Sequence, residues 1–215
     1  SKPNFVYHFI MGETDYMMAM VSTEGFLREY YYYGSEVIQQ KLNMTLQEKR
    51  NFLAILDEYS KPENRIYRYN FYYDNCTTRA RDVIVKAMEG KVEYLSWKNK
   101  QENETFRDLI HSKNADYPWC RWGNDFLLGV GSDAQMTHAE RQFIPEMLEA
   151  DFDSAIVILP NGAEKPLVES TSILLPAGQS MAEPMAGFPL SPEACSVLFL
   201  NLVIVFTMCE RFLIR

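Results

Sequence analysis

Cys76, in the run Asp74-Asn75-Cys76-Thr77-Thr78-Arg79, is the residue of this chain best placed to do chemistry. Asp and Asn are good helix N-caps, so the run predicts a helix with Cys76 in its first turn. A thiol there meets the positive end of the helix macrodipole, which favours the thiolate, the form that attacks a carbonyl carbon. The first N–H groups of a helix have no intrahelical partner, so the N–H of Cys76 is a candidate donor to the oxyanion such an attack creates. Asn75 and Asp74 would cap and orient the turn. Arg79 and Arg81 project about 160° apart on a helix, so at most one faces the site. An exposed charged face accounts for Arg81 and Asp82. The alternative for Cys76 is a small buried thiol, since free Cys is among the most buried residue types.

A thiol nucleophile needs a base, and the chain has three histidines, His8, His111 and His138. None sits in a recognisable motif, and each is expected at the surface. Cys120, between Trp119 and Arg121, is expected to pack. The four cysteines include no C-x-x-C pair, and Cys76/Cys120 and Cys195/Cys209 are far apart. That spacing suits neither a zinc site nor a disulfide framework, and no metal or cofactor is implied. Lys+Arg of 21 against Asp+Glu of 29 gives a formal charge of -8. Phosphate neutralisation needs clustered cations, so nucleic acid is excluded as a partner. The 215 residues, 47% hydrophobic and 23% charged, have a globular composition.

The elements that must position Cys76 follow from periodicity. Cys76, Ala80, Val83, Ile84, Ala87 and Met88 form one apolar stripe of a helix. Upstream, residues 65–73 alternate polar and aromatic side chains and read as an extended segment. Thr45 and Glu48 have capping-box spacing, predicting a helix over 46–59 with Leu46, Leu53 and Leu56 inward, ended by Pro62. Residues 1–20 supply a strand and a turn at Gly12, whereas the tyrosines at 30–33 fit either a strand or a buried helix. Downstream, a helix is expected around 119–128. Trp119, Trp122 and Phe126 on it could line a lipid-facing groove, but the core is the favoured place. Thr137 and Glu140 open a further helix carrying Phe143, Met147 and Leu148, which Pro145 would bend unless it lies in the first turns. Residues 154–175 read as a small antiparallel β unit around the Asn161-Gly162 turn. The fold class is α+β.

Residues 176–192 read as a linker of Pro, Gly, Ala and Met. After Glu193, residues 194–209 carry no charge. Extended back over 187–190, this gives about 20 residues, enough to cross roughly 30 Å of hydrocarbon. A buried core helix or hairpin strand is the alternative. Arg211 and Arg215 follow, which by the positive-inside rule puts that end in the cytoplasm. The expected organisation is a periplasmic domain over 1–175, a linker over 176–192, a transmembrane helix over 193–210 and a cytoplasmic start over 211–215.

The stretch from Tyr69 to Asp82 resembles the signature of Lnb-type proteins of the Bacteroidetes, lipoprotein N-acyltransferases with a periplasmic thiol-hydrolase-like domain ahead of membrane helices. The resemblance continues through Lys2-Pro3-Asn4-Phe5, Gly12-Glu13-Thr14-Asp15-Tyr16, Leu42-Asn43-Met44-Thr45 and Pro62-Glu63-Asn64-Arg65. Downstream it takes in Gly123-Asn124-Asp125, Gln142-Phe143 with Pro145-Glu146, and the unit ending near Leu175. The Asn-Cys pair at a helix start is also similar to permuted NlpC-type and lecithin retinol acyltransferase-like enzymes.

The resemblance implies a permuted papain-like (NlpC-like) cysteine-enzyme domain in the inner membrane, its catalytic domain in the periplasm. Cys76 would be the nucleophile, taking a fatty acyl group from a phospholipid or lipoprotein donor and passing it to a lipoprotein's N-terminal amine. The family's base is a His in a Gly-His-(Ser/Thr)-Ala motif upstream of the Lys-Pro-Asn-Phe block that opens this chain. The resemblance therefore implies an N-terminally truncated fragment, with its nucleophile but without its base, inert on its own. Two other classes remain open: a membrane-anchored cysteine peptidase or amidase using the same Cys76, and a non-catalytic envelope module.

Overall fold

Short antiparallel ribbons and capped helices, rather than one continuous sheet, make up the chain. The computed structural model describes residues 8–9, 12–96, 104–182 and 188–213. In chain order they form β1 (Asp15–Met17), α1 (Thr23–Tyr33), β2 (Val37–Leu42), α2 (Leu46–Ser60), β3 (Ile66–Arg68), α3 (Cys76–Ala87) and β4 (Lys91–Tyr94). Then come α4 (Phe106–Lys113), α5 (Pro118–Leu128), a 3-10 segment (Gly129–Asp133), α6 (His138–Arg141) and α7 (Pro145–Ser154). The strands β5 (Ala155–Ile158), β6 (Glu164–Pro166) and β7 (Val168–Leu175) precede the last helix, α8 (Pro192–Leu213). The class is mixed α+β, as expected. The chain divides into two compact units, one of residues 1–103 with 135–183 and one of 104–134 with 184–215.

In the first unit β1 pairs with β3, β2 with β7, and β4, β5 and β6 form a three-stranded sheet, all antiparallel. The β5–β6 hairpin turns at Asn161-Gly162, where Gly162 takes the left-handed φ of 81° that such a turn requires. The rest of the expected β unit separates from it, because β7 leaves the hairpin and pairs with β2, setting Thr171 opposite Gln40. Met88, Leu148, Phe152, Ala155, Val157 and Leu167 form the core cluster. Leu148 and Phe152 lie four residues apart on α7 and so share one face. Pro145 starts that helix instead of bending it, so the single helix expected after Thr137 is two, α6 and α7. The tyrosine run resolves as helix α1, capped by Ser22 and ended by Gly34, and Tyr31 and Tyr33 are exposed.

Helix α2 begins with the expected Thr45–Glu48 capping box, but its inward face differs from expectation. Leu46 and Leu53 are 66% and 64% exposed, whereas Glu48 is fully buried. Glu48 accepts hydrogen bonds from the N–H of Thr45 (2.7 Å), the N–H of Glu89 (3.2 Å) and Lys165 Nζ (2.5 Å). Lys165 also donates to the Asn43 carbonyl at 2.8 Å. A capping glutamate has thus become the joint between the start of α2, the end of α3 and strand β6. Burial alone would raise its carboxyl pKa. The three donors outweigh burial and hold it below the ordinary value.

In the second unit Arg107 on α4 holds the following segments. Its guanidinium reaches Asp125 Oδ1 (2.5 Å), Asp133 Oδ1 (2.6 Å) and the Gly129 carbonyl (2.7 Å). His111 Nε2 lies 2.6 Å from the same Asp125 oxygen with its side chain 20% exposed, so it is a partly buried, paired group and not a surface histidine. The core expectation for the α5 aromatics fails. Helix α5 buries none of its residues, and Trp122 and Phe126 are 51% and 76% exposed. Cys120 on the same helix is exposed as well, not packed. The 22-residue helix α8 exposes Val197, Phe199, Leu202 and Phe206 alike, on all sides. At about 1.5 Å per residue it is roughly 33 Å long, and it is long and apolar enough to cross a membrane.

Lys165→Met should cost about 3–5 kcal/mol in urea unfolding, because it strands a buried carboxylate. Glu48 ionises more readily folded than unfolded, so its stabilisation is complete above the ordinary value of 4.5 and is lost as pH falls through the lower folded value. Glu48→Gln should flatten that acid loss, as urea midpoints at falling pH would show.

Candidate functional site

Helix α3 starts where it does because Asn75 is locked from several sides. Asn75 is 4% exposed. Its Oδ1 accepts the N–H groups of Thr77 and Thr78, each at 2.9 Å, and its own N–H donates to Thr78 Oγ1 at 2.9 Å. Its Nδ2 donates to the carbonyls of Phe71 (3.1 Å) and Phe143 (2.8 Å). The loop ahead closes on itself. Asn70 Oδ1 accepts from the N–H groups of Tyr72 and Tyr73, and the backbones of Asn70 and Asp74 exchange hydrogen bonds at 3.0 Å. Cys76 is therefore presented from a fixed turn. The cap occupies the N–H groups of the next two residues, and among the described residues no hydrogen bond takes up that of Cys76.

Asp74 does not face Cys76 alone. Its carboxylate forms a bidentate pair with Arg79, Nε–Oδ1 at 2.6 Å and Nη2–Oδ2 at 2.8 Å, and the guanidinium lies 3.7 Å over the Tyr67 ring. Arg81 turns away, as the helical angle requires, and bonds the Ala139 carbonyl (3.2 Å) and Gln142 Oε1 (3.3 Å). Its side chain is 21% exposed, so the expectation of an exposed charged face holds only for Asp82, at 64%.

The apolar stripe of α3 divides in two. Val83, Ala87 and Met88 are buried, whereas Cys76 and Ala80 are exposed. Cys76, Ala80 and Ile84 instead floor two clefts. One has a volume of about 370 Å³ and is walled by Met17, Met18, Phe52, Leu56 and Tyr67, with Arg79 at its side. The other, about 410 Å³, is walled by Ile38, Gln40, Leu148, Glu149 and Phe152. Both fall in the range of small-molecule sites, roughly 300–1,000 Å³. Cys76 is thus neither core packing nor isolated surface; it stands on the ridge between two concave, largely apolar walls.

Tyr67 and Tyr69 join this site without having been singled out in the sequence. Burial first, and then negative charge at Cys76, push both phenols up. Both remain neutral donors around pH 7. The signal was the alternation over 65–73, which sets Tyr67 and Tyr69 on one face of an extended segment. Among the described residues no histidine lines either cleft. His8 pairs with Glu13 at 2.6 Å, His111 with Asp125, and His138 opens α6, half-buried rather than exposed.

The family model described as the Lnb N-terminal periplasmic domain matches residues 1–112. The chain belongs to the Lnb N-terminal periplasmic domain family. No curated protein and no solved structure matches it. The Lnb match takes in β1, α2, β3 and α3, and with them the Asp74–Arg79 run and every wall of the first cleft. The residues of α7 that wall the second cleft lie beyond it. The chain is an Lnb-like envelope protein, and its apolar helix α8 is consistent with a membrane-anchored periplasmic protein.

Replacing Asn75 separates its cap from its clamp. Asn75→Ala should lose the cap, about 0.5–2 kcal/mol, and strand the two carbonyls it serves, about 1–3 kcal/mol more. Asn75→Ser keeps a capping oxygen and should fall between. Urea unfolding of the three proteins gives the order.

Proposed function

We propose that the chain carries the nucleophile of a cysteine acyltransferase, which passes a fatty acyl group through a Cys76 thioester to the N-terminal amine of a bacterial lipoprotein. The observation that carries this reading is the exposed thiol at the first residue of a rigidly capped helix, between an apolar cleft and a second cleft. In the first half-reaction the thiolate attacks the ester carbonyl of a phospholipid or lipoprotein donor. The bond from that carbon to the donor's alcohol oxygen breaks, the alcohol leaves with a proton, and the acyl group stays on sulfur. In the second, the acceptor's free α-amine attacks the thioester, an amide forms, and the thiol is regenerated.

The first cleft suits the acyl chain. Met17, Met18, Phe52 and Leu56 form an apolar wall, and burying alkyl carbon there gains about 0.8 kcal/mol per methylene. The second cleft, with Gln40 and Glu149, suits an incoming amine. The N–H of Cys76, with Tyr67 beside it, is the oxyanion donor. Asn75 orients the turn, and Asp74 acts through Arg79. By the family resemblance, the base is a His of a Gly-His motif upstream of Lys2. A helix beginning at the nucleophile beside antiparallel strands accords with the permuted papain-like (NlpC-like) arrangement. The organisation proposed with it is a periplasmic domain over 1–175, a linker over 176–192, a span of the inner membrane over 193–210 and a cytoplasmic start at 211–215.

In cells making the product of the intact gene as their sole N-acyltransferase, Cys76→Ser should lower N-acylation by about 10⁴-fold, the scale on which losing a nucleophile acts. Cys120→Ser, at the other exposed thiol of a helix ahead of α8, should leave it unchanged. Mass spectrometry of the wild-type protein should find a hydroxylamine-labile acyl adduct on Cys76. Lipoproteins fully N-acylated in the Cys76→Ser strain would overturn the reading, and peptide cleavage without an acyl adduct would favour the peptidase class.

A further inference from the structure

Helix α5 presents large apolar rings to the outside. An amphipathic helix ordinarily turns its apolar stripe inward and its charges outward. On α5 the half-buried Asp125 is held by Arg107 at 2.5 Å and by His111 at 2.6 Å. Two large aromatic rings point outward, beside the exposed Arg121. Trp122 and Phe126, four residues apart, are 51% and 76% exposed, and their rings stack with centroids 6.0 Å apart and planes 8° from parallel. Val130, just past the helix, extends the same apolar surface at 86% exposure. Rings of that size left in water forgo the favourable burial of their apolar surface.

The same helix is tied to the entry of α8. Trp119 packs edge-on against Phe188 at 5.5 Å, and its indole N–H donates to the Leu190 carbonyl at 2.7 Å. Leu190 lies two residues ahead of Pro192, the first residue of α8. Trp119 also meets Trp122 edge-to-face at 5.8 Å. The aromatic face of α5 thus continues from the N-terminal end of the apolar helix, within one compact unit. Tryptophan is the residue type enriched at that level of a bilayer, where an amphipathic ring has one side apolar and the other wet.

We propose that α5 lies in the bilayer interface, with Trp122, Phe126 and Val130 seated at the boundary of headgroups and acyl chains. This rests on the reading of α8 as a membrane span, and the occupant it commits to is lipid. A helix of this kind sinks its apolar face about 5–10 Å into the interface. The unit would then hold the membrane in two ways, one helix through it and one along it.

The test uses the full chain reconstituted into phosphatidylcholine vesicles, with Trp97 and Trp119 changed to Phe so that Trp122 is the sole reporter. Its emission should be quenched more by lipids brominated near the headgroup end of the acyl chain than by lipids brominated near the tail end, and it should be shielded from aqueous acrylamide. A second protein, with all three tryptophans changed to Phe and Phe206→Trp added, reports α8 and should be quenched most by tail-end bromine. Quenching of that reporter beside a Trp122 open to acrylamide and untouched by either lipid would overturn the interfacial helix while sparing the span. A Trp122 shielded from acrylamide yet untouched by brominated lipid would mean a protein cover and would equally overturn it. If neither reporter is quenched, the span fails and the interfacial helix with it.

Discussion

The side-chain amide of Asn75 is the contact on which the site depends. It is buried, and both of its polar atoms are fully used, one gathering the first N–H groups of α3 and the other holding two carbonyls. One of those carbonyls, that of Phe143, lies 68 residues further along the chain. Local turn geometry and tertiary packing therefore converge on a single planar group. A satisfied buried polar network of this kind has few alternative arrangements, since any shift strands a donor or an acceptor in a low-dielectric setting. The neighbouring thiol inherits that rigidity. Cys76 needs no contact of its own to be positioned, and so its side chain is left open to the clefts.

A second buried polar joint does the same for the cleft wall. Glu48 sits at the start of α2, fully buried, and connects it to Glu89, two residues past the end of α3, and to β6 through Lys165. Phe52 and Leu56, one and two turns along from Glu48, then face α3 across the apolar cleft. The pairing has an energetic cost in desolvation, and its value lies in fixing the angle at which two helices enclose an unfilled space.

Much of the site was legible because its determinants are local. The start of α3 follows from an Asx cap and a stripe, both contained within residues 74–88. The capping boxes at Thr45 and Thr137 and the Asn161-Gly162 turn are equally short-range, and each appears where its residues predict. What the sequence left unread was of longer range. Strand β2 has little alternation of its own and is made a strand by β7, whose Thr171 pairs with Gln40. Periodicity names a face but not what covers it. Leu46 and Leu53 occupy the right positions for a core that is not there, and the α5 aromatics have helical spacing without a protein layer over them. The histidines show the same limit, since the partner that makes His111 a partly buried, paired group lies 14 residues away on another helix.

The two clefts share a floor but draw their walls from different parts of the chain. The first is complete by Ile84, whereas the second needs Pro145, Leu148, Glu149 and Phe152. Substitutions at Pro145 or Glu149, which lie outside the core cluster, can therefore change the width and polarity of one side of Cys76 while the other side, the cap and the thiol stay as they are. In evolutionary terms the arrangement is modular. Selection on what enters from one direction can act at two positions of a single helix, without reopening the problem of how the nucleophile is held.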